Sequence, residues 1–514
     1  MYQIDFLDIL RFIILPIIIY VFIEFYLKKE KLVNYKADNR HNYFLLLFTC
    51  LGFISILSTL KFLKLYSGNY EFFDAGLILN EFVFTKNLDF GEVVDYYLFH
   101  AHFRPLQILF NYIFKFFDNF YLILLIQTLI LSSTIIPLFL ILKKINFDNK
   151  ISFFLIIFFI FNPIIGFVDI LGFHIDTLVI PILVWGFYYY LINNKKKIIF
   201  LILLSLVSEV YILTAAFASL VFFENKKNKF LFFSLFMMFF LIIFYYFLAN
   251  YSINSPSSVF GQNSAYALLK NFNLDNLILT FLSIKKIFFL YYFSLLFGFF
   301  FIKNLHFFII AIPSISKILL STEAYHYDVT GHYANDLFVI CFMAMIFTLS
   351  NFKSNNLNLY KINLKLIITG FFSLIIAHSI YPFSINFWSN SSAGTYNYKQ
   401  YKNFNLNNDQ ELKSYLIKIK QENFKHNICI NNGPFVEYVY KNNISFINFN
   451  KDQTCDLIII NSQKDVFTSG SHSSQENFNN NFKRFLMDNI SLSYKLVIQN
   501  NKYHVYKKKN RIVE

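Results

Sequence analysis

Apolar runs broken by short polar punctuation fill the first three quarters of the chain, and many are long enough for an α-helix to cross a bilayer. The first runs from Phe6 to Tyr26 and stops at Lys28-Lys29-Glu30-Lys31; the second runs from Tyr43 to Leu60. Lys61 to Asn119 is mixed, too polar for one clean span yet interrupted by apolar stretches. Phe120 to Leu142 is a strong span ended by Lys143-Lys144. Ile151–Val168 and Thr177–Leu191 predict a hairpin around Asp169–Asp176, closed by Lys195-Lys196-Lys197. Ile198–Phe223 is interrupted by Ser208-Glu209 and reads as one span or as two short helices. Phe230–Ala249 precedes a polar loop, Asn250–Lys285, and further spans follow at Ile287–Ile302, Phe307–Leu320, Leu337–Leu349 and Leu364–Ala377. The pattern predicts an α-helical polytopic membrane protein with about 12 hydrophobic segments.

After Pro382 the chain turns polar and rich in Asn. This sets a membrane domain at 1–382, in which 61–119 forms a first large external loop with interfacial helices. A linker at 383–402 and a soluble domain at 403–514 follow. The soluble part alternates helix-like and strand-like patterns: a helix over Asp409–Asn423, a strand at Asn427–Asn431, and a helix from Gly433-Pro434 to about Tyr440. Strands at Ile444–Asn448 and Asp456–Asn461, a helix over Asn477–Met487, and a hairpin of Tyr494–Gln499 with Tyr503–Lys507 complete it. Such alternation predicts a small Rossmann-like α/β domain, but without GxGxxG or a P-loop it carries no nucleotide-site signal.

Composition supports the membrane reading, because 56% of the residues are hydrophobic and only 15% charged, where a soluble protein carries about a quarter charged. The excess of Phe and Tyr fits a codon bias toward AT-rich triplets and is no binding signal by itself. A net charge of +14 raises nucleic acid as a partner. The lysines, however, sit in short loops between apolar runs, as the positive-inside rule requires, and nucleic acid is set aside. Placing Lys28–Arg40, Lys143–Lys150, Lys195–Lys197, Lys226–Lys229 and Lys353–Lys365 together in the cytoplasm requires two half-helices meeting at Glu209. The same choice puts the N-terminus, the 61–119 segment and the C-terminal domain outside. Cys50 and Cys341 lie in apolar runs; Cys429 and Cys455 fall in the soluble domain, where spacing alone leaves their pairing open.

Directed this way, the acids and histidines gather toward one face: Asp74, Glu81, His102, Arg104, His174, Glu209 and His332 among them. Glu209 is flanked by apolar runs, which makes it a functional candidate, although a polar turn between half-helices explains it equally well. Asp74 stands in Phe72-Phe73-Asp74-Ala75-Gly76 and is either a helix cap or a reacting acid. His102-Phe103-Arg104-Pro105 is a helix start or a cationic pocket for a phosphate. His174 lies at a hairpin tip, and His332-Tyr333 precedes a span as an interfacial anchor or a ligand contact.

The ordered set of motifs resembles a known family. Phe73-Asp74-Ala75-Gly76-Leu77-Ile78, His102-Phe103-Arg104-Pro105, Asn162-Pro163, Phe173-His174 with Pro181, Ser208-Glu209 and Gly331-His332-Tyr333-Ala334 look like successive blocks of the predicted membrane-protein family called domain of unknown function 2079. There the blocks read roughly YDLGIFDQ, HFSP, NP, FHP…P, KED and an HY-type motif. Two departures stand out: the second acid of the first block falls on Leu79, and KED becomes Ser208-Glu209-Val210. The first departure weakens a metal-binding role.

That family is similar in architecture to the GT-C glycosyltransferases. The resemblance implies an integral protein of a bacterial inner (cell) membrane with an extracytoplasmic C-terminal domain. It also implies transfer of a sugar from a polyprenyl-phosphate donor at the outer face, with Asp74 as the catalytic base or as ligand to a divalent metal. His102, Arg104, His174, Glu209, His332 and Tyr333 would then bind substrate. The alternative is a transporter, or a lipid- or glycan-binding membrane protein without catalysis.

Overall fold

The computed structural model describes residues 39–66, 81–82, 85, 88–100, 103–117, 119–170, 172–250, 286–287, 289–290, 293, 297, 304–320, 334–355, 357–377, 414–415, 418, 427–430, 443–446, 455–461, 493–499 and 503–509. The expected span Phe6–Tyr26, most of Ile287–Ile302, the loop Asn250–Lys285 and the linker 383–402 lie outside them.

Helix α1 spans Asn39–Tyr66, which corrects the expected boundary at Leu60. Lys61 does not open an external loop but sits inside the helix, buried, because a carboxylate from a distant segment pairs with it. Within the 61–119 segment, α2 covers Phe90–Asp95. A reciprocal capping box opens it: Glu92 N donates to Asp89 Oδ1 at 2.9 Å and Asp89 N to Glu92 Oε2 at 3.0 Å. It runs into a π-helical turn, Tyr96–His100. Helix α3, Pro105–Phe117, starts at a proline, whose fixed φ suits a first turn and whose missing N–H is not needed there. Gln107, Phe110, Asn111 and Phe114 form its buried stripe, the i, i+3, i+4, i+7 pattern of one helix face.

The next apolar run is continuous over Tyr121–Lys144, built from α4 (Phe120–Ser132) and α5 (Ile135–Lys144) across a turn at Ser133-Thr134. Helix α6 spans Asn149–Ile160 and ends where Asn162-Pro163 breaks the run; α7 follows at Pro163–Ile170. A 3-10 turn, Ile175–Leu178, leads into α8 at Val179–Leu191.

The Ser208-Glu209 interruption produces two short helices, α9 (Lys197–Ser205) and α10 (Glu209–Phe222). They run antiparallel, because Lys197 Nζ at the start of α9 lies 5.3 Å over the ring of Phe223, just past the end of α10. Ser208 caps α10 by accepting from Val210 N. Ser208→Ala is therefore expected to lower the melting temperature of the detergent-purified protein, at a cost of about 1 kcal/mol. An unchanged melt would show that the cap carries no weight.

Helices α11 (Lys226–Asn250), α12 (Leu305–Leu320), α13 (Asn335–Asn355) and α14 (Leu357–Ala377) complete the described bundle. Among the described residues, three helical runs are long and apolar enough to cross a membrane: Tyr121–Lys144, Lys226–Tyr246 and Asn335–Asn355. The phenylalanine excess serves packing between helices. Phe158 of α6 lies 5.8 Å from Phe342 of α13 and 5.1 Å from Phe371 of α14, and Phe159 meets Phe338 and Phe342. Offset and edge-on ring pairs of this kind add to plain area burial.

A chain of contacts fixes which helix ends share a level. Phe222 meets Phe187, Phe187 meets Phe307, and Phe307 meets Phe347, all at 5.2–5.3 Å. One turn on, Ser350 Oγ donates to Ile145 O and Lys353 Nζ to Asn146 O. The loops bearing Lys143-Lys144, Lys195–Lys197 and Lys353 thus belong to one end of the bundle.

Near the C-terminus, β1 (Asn427–Ile430), β2 (Asn443–Phe446), β3 (Leu457–Asn461), β4 (Tyr494–Gln499) and β5 (Tyr503–Lys508) form one sheet of order β2-β1-β3-β5-β4. The strands β2, β1 and β3 are parallel, and the β4–β5 hairpin adds antiparallel to β3. All five expected strands are present. The expected helix over Asp409–Asn423 is helical at Ser414, Tyr415 and Lys418, while those at 433–440 and 477–487 lie outside the described residues. Cys429 of β1 and Cys455, just before β3, form a disulfide with Cα atoms 5.8 Å apart. Burial and the nearby Asp456 carboxylate raise the Tyr494 phenol, against the hydrogen bond its hydroxyl donates to Cys455 O at 2.9 Å.

Candidate functional site

Polar side chains collect at the end of the bundle away from the lysine loops, in three groups. The first is built on the turn before α3. Phe103 N donates to Glu209 Oε2 at 3.2 Å, and Leu106 N donates to Leu206 O at 3.2 Å. The break between α9 and α10 therefore docks on the Phe103-Arg104-Pro105 turn. Arg104 N donates to Tyr97 O at 2.8 Å, joining the π-helical turn to the same point. Irregular helical turns of this kind concentrate at functional sites. Burial, with the Glu81 carboxylate behind it, pushes the Tyr97 phenol far above its ordinary range.

The second group fixes His174. Lys61 Nζ of α1 donates to Asp169 Oδ1 at 2.6 Å, Thr128 Oγ1 at 2.7 Å and Leu124 O at 3.1 Å. Asp169 also accepts from Gln127 Nε2 at 3.1 Å and Thr128 Oγ1 at 2.8 Å. Gln127 then spans the bend that follows α7: its amide donates to Gly172 O at 2.8 Å and its carbonyl accepts from His174 N at 2.8 Å. Gly172 has φ 121°, a left-handed region that favours glycine, so the bend depends on that residue as well. Phe173 packs on Phe82 at 5.4 Å and on Phe110 of α3 at 4.8 Å, which joins the second group to the first.

In the third group Asp336, in the first turn of α13, is fully buried. It accepts from Thr214 Oγ1 of α10 at 3.0 Å, from Ser314 Oγ of α12 and from Leu337 N at 2.9 Å. Its neighbour Asn335 donates to Asp176 O at 3.4 Å, holding the 3-10 turn from the other side.

The whole ordered set of motifs is accounted for by a match to the model of the predicted membrane protein family DUF2079, which covers residues 72–484. The chain belongs to the DUF2079 family. No curated protein matches it. The match takes in every motif from Asp74 to the β3 strand.

Of the candidates read from the sequence, the structure brings Glu209 onto the Phe103-Arg104 turn, with Arg104 half-buried beside it. His174, 7% exposed, lies across the Phe173 contact from that turn. Asp74, His102, His332 and Tyr333 lie outside the described residues. Among the described residues, no group of three or more His, Cys, Asp or Glu side chains is arranged to hold a metal. At the start of α3, Phe103 N and Leu106 N are taken by Glu209 Oε2 and Leu206 O. Sequence reasoning missed Lys61, Gln127 and Thr128, while Asp336 stood among the acids it gathered at this face. Lysine and aspartate at opposite ends of a 108-residue separation carry no local signal of pairing.

Proposed function

We propose that this DUF2079 protein is a membrane glycosyltransferase of GT-C type, taking a sugar from a polyprenyl-phosphate donor at the outer face. The observation that carries the proposal is the docking of Glu209 on the Phe103-Arg104 turn, to which His174 is joined through the packing of Phe173 on Phe110. An acid, a guanidinium and an imidazole from three separate segments then stand at one end of the bundle. In this reading Asp74 takes the proton of the acceptor hydroxyl. Arg104 and His102 stabilise the departing phosphate, and His174, Glu209, His332 and Tyr333 shape the binding cavity.

The disulfide supports an outer location for the C-terminal domain, since such bonds persist in oxidising compartments. Chain direction agrees with it: α14 starts near Asp148 at the lysine end, with Tyr360, and leads away through Phe371. The proposed membrane is the inner (cell) membrane, and the sheet is proposed as the centre of a small Rossmann-like domain.

The test is turnover of polyprenyl-phosphate sugars by purified protein, wild type against Asp74→Asn. A general base contributes about a hundredfold or more, so the variant should lose at least that factor. Equal turnover would remove Asp74 from the mechanism, and no transfer by the wild type with any donor would remove the enzyme reading. Asp336, buried among three helices and away from the turn, is the observation that favours a transporter as second reading.

A further inference from the structure

Two facing helical stripes beside the candidate site form a polar ladder. Glu81 and Thr85 are one turn apart, as are Gln107 and Asn111 of α3. Gln107 Nε2 donates to Glu81 Oε2 at 3.0 Å, and Thr85 Oγ1 donates to Asn111 Oδ1 at 2.7 Å. Tyr97 Oη lies 3.2 Å from Thr85 Oγ1, and the ladder is closed below by Phe82 stacked on Phe114 at 5.5 Å. Gln107 and Asn111 are buried, whereas Glu81 is partly exposed and forms the outer rung.

One atom breaks the accounting. Asn111 Nδ2 is buried with no hydrogen-bond partner among the described residues. A buried amide nitrogen without a partner is rare in folded proteins and calls for an explanation. A ladder that only held two helices together would do so more cheaply with an apolar residue at 111. The chemistry of the patch supplies the explanation. A carboxylate only accepts, a carboxamide accepts and donates, and both are planar, so together they read neighbouring hydroxyl groups on a ring. Arg104 stands one turn before Gln107 and contacts Tyr97 through its backbone, so the ladder begins where the phosphate-facing turn ends.

We propose that Glu81, Gln107 and Asn111 are sugar-binding, specificity-determining residues, with Glu81 accepting from ring hydroxyls and Asn111 Nδ2 donating to one. The proposal rests on the polyprenyl-phosphate-sugar reading above, and binding rather than turnover tests it. Glu81→Gln keeps the shape and can still pair with Gln107. Asn111→Leu removes the unpartnered donor and should leave the melting temperature unchanged or raised.

The experiment places full-length protein in lipid nanodiscs and compares binding of a short-chain polyprenyl-phosphate hexose with bare polyprenyl phosphate. The wild type should prefer the hexose-bearing lipid by about tenfold or more, the scale of hydrogen-bonded hydroxyl recognition, and each variant should lose most of that preference. Binding of the bare lipid should be the same in all three. An unchanged preference in Glu81→Gln overturns the proposal and leaves the glycosyltransferase reading standing. A wild type that binds both lipids equally, or neither, overturns the two together. A preference that the variants lose, in a protein showing no transfer, supports the proposal and removes only the catalysis. If Asn111→Leu does not fold, Glu81→Gln decides alone.

Discussion

Lys61→Met is expected to destabilise the folded protein by about 3–5 kcal/mol, because it strands the buried Asp169 carboxylate, which has no other cation partner among the described residues. Asp169 is fully buried and Lys61 is 3% exposed, so water does not screen the pair. Asp169→Leu should cost about as much for the mirror-image reason, leaving the ammonium unneutralised. The double variant Lys61→Met with Asp169→Leu should recover most of the loss, since neither charge then remains to be solvated. Thermal unfolding in detergent, followed by tryptophan fluorescence, measures all four proteins. A single variant as stable as the wild type would mean that the two groups are not paired as described.

Opening the Cys429–Cys455 bond is the second large effect. The cysteines are separated by 26 residues in sequence, and closing a loop of that size removes about 3.5 kcal/mol of chain entropy from the unfolded state. Asp456 gives further local support: Asp456 N donates to Asn427 O at 2.7 Å and Asn427 N to Asp456 Oδ2 at 2.8 Å. Hydrogen exchange in the Cys429→Ser/Cys455→Ser protein should therefore quicken along β1 and β3 and less along the β4–β5 hairpin. Maleimide labelling of native protein without reductant is the control. If both thiols react, neither the bond nor the outer placement inferred from it stands.

What the sequence made legible was local. The Ser208-Glu209 interruption was legible because its cap acts on its own backbone, whereas Ile151–Val168, read as one span, is broken at Asn162-Pro163. The five strands were visible for the same reason, as short β-branched runs between turn residues. Sidedness was half legible: lysines at run ends meet at one level because each must reach water. Lys61 broke that rule. Its partner comes from α7 and its second acceptor from α4, and nothing near position 61 announces either. Glu209 was singled out from its apolar flanks, but its contact with Phe103 N joins residues 106 apart and required the fold. The start of α3 at Pro105 was legible, whereas the matching of Gln107 to Glu81 and of Asn111 to Thr85 was not, since opposed side chains on two helices leave no trace in either alone.

The reversal at Leu206–Ser208 has a consequence for biosynthesis. Helix α9 has 9 residues and α10 has 14, about 14 and 21 Å of helix against a hydrocarbon thickness of about 30 Å. Neither is a full crossing, yet an insertion apparatus scanning Ile198–Phe223 as one apolar stretch would meet the length of one. Everything downstream takes its address from how that stretch is counted. As a single crossing it would send Lys226–Lys229 and all later segments to opposite compartments from those reached when it turns back on itself. In the proposed topology the reversal at Ser208 thus acts as a parity bit, and the side proposed for a sheet two hundred residues away depends on it.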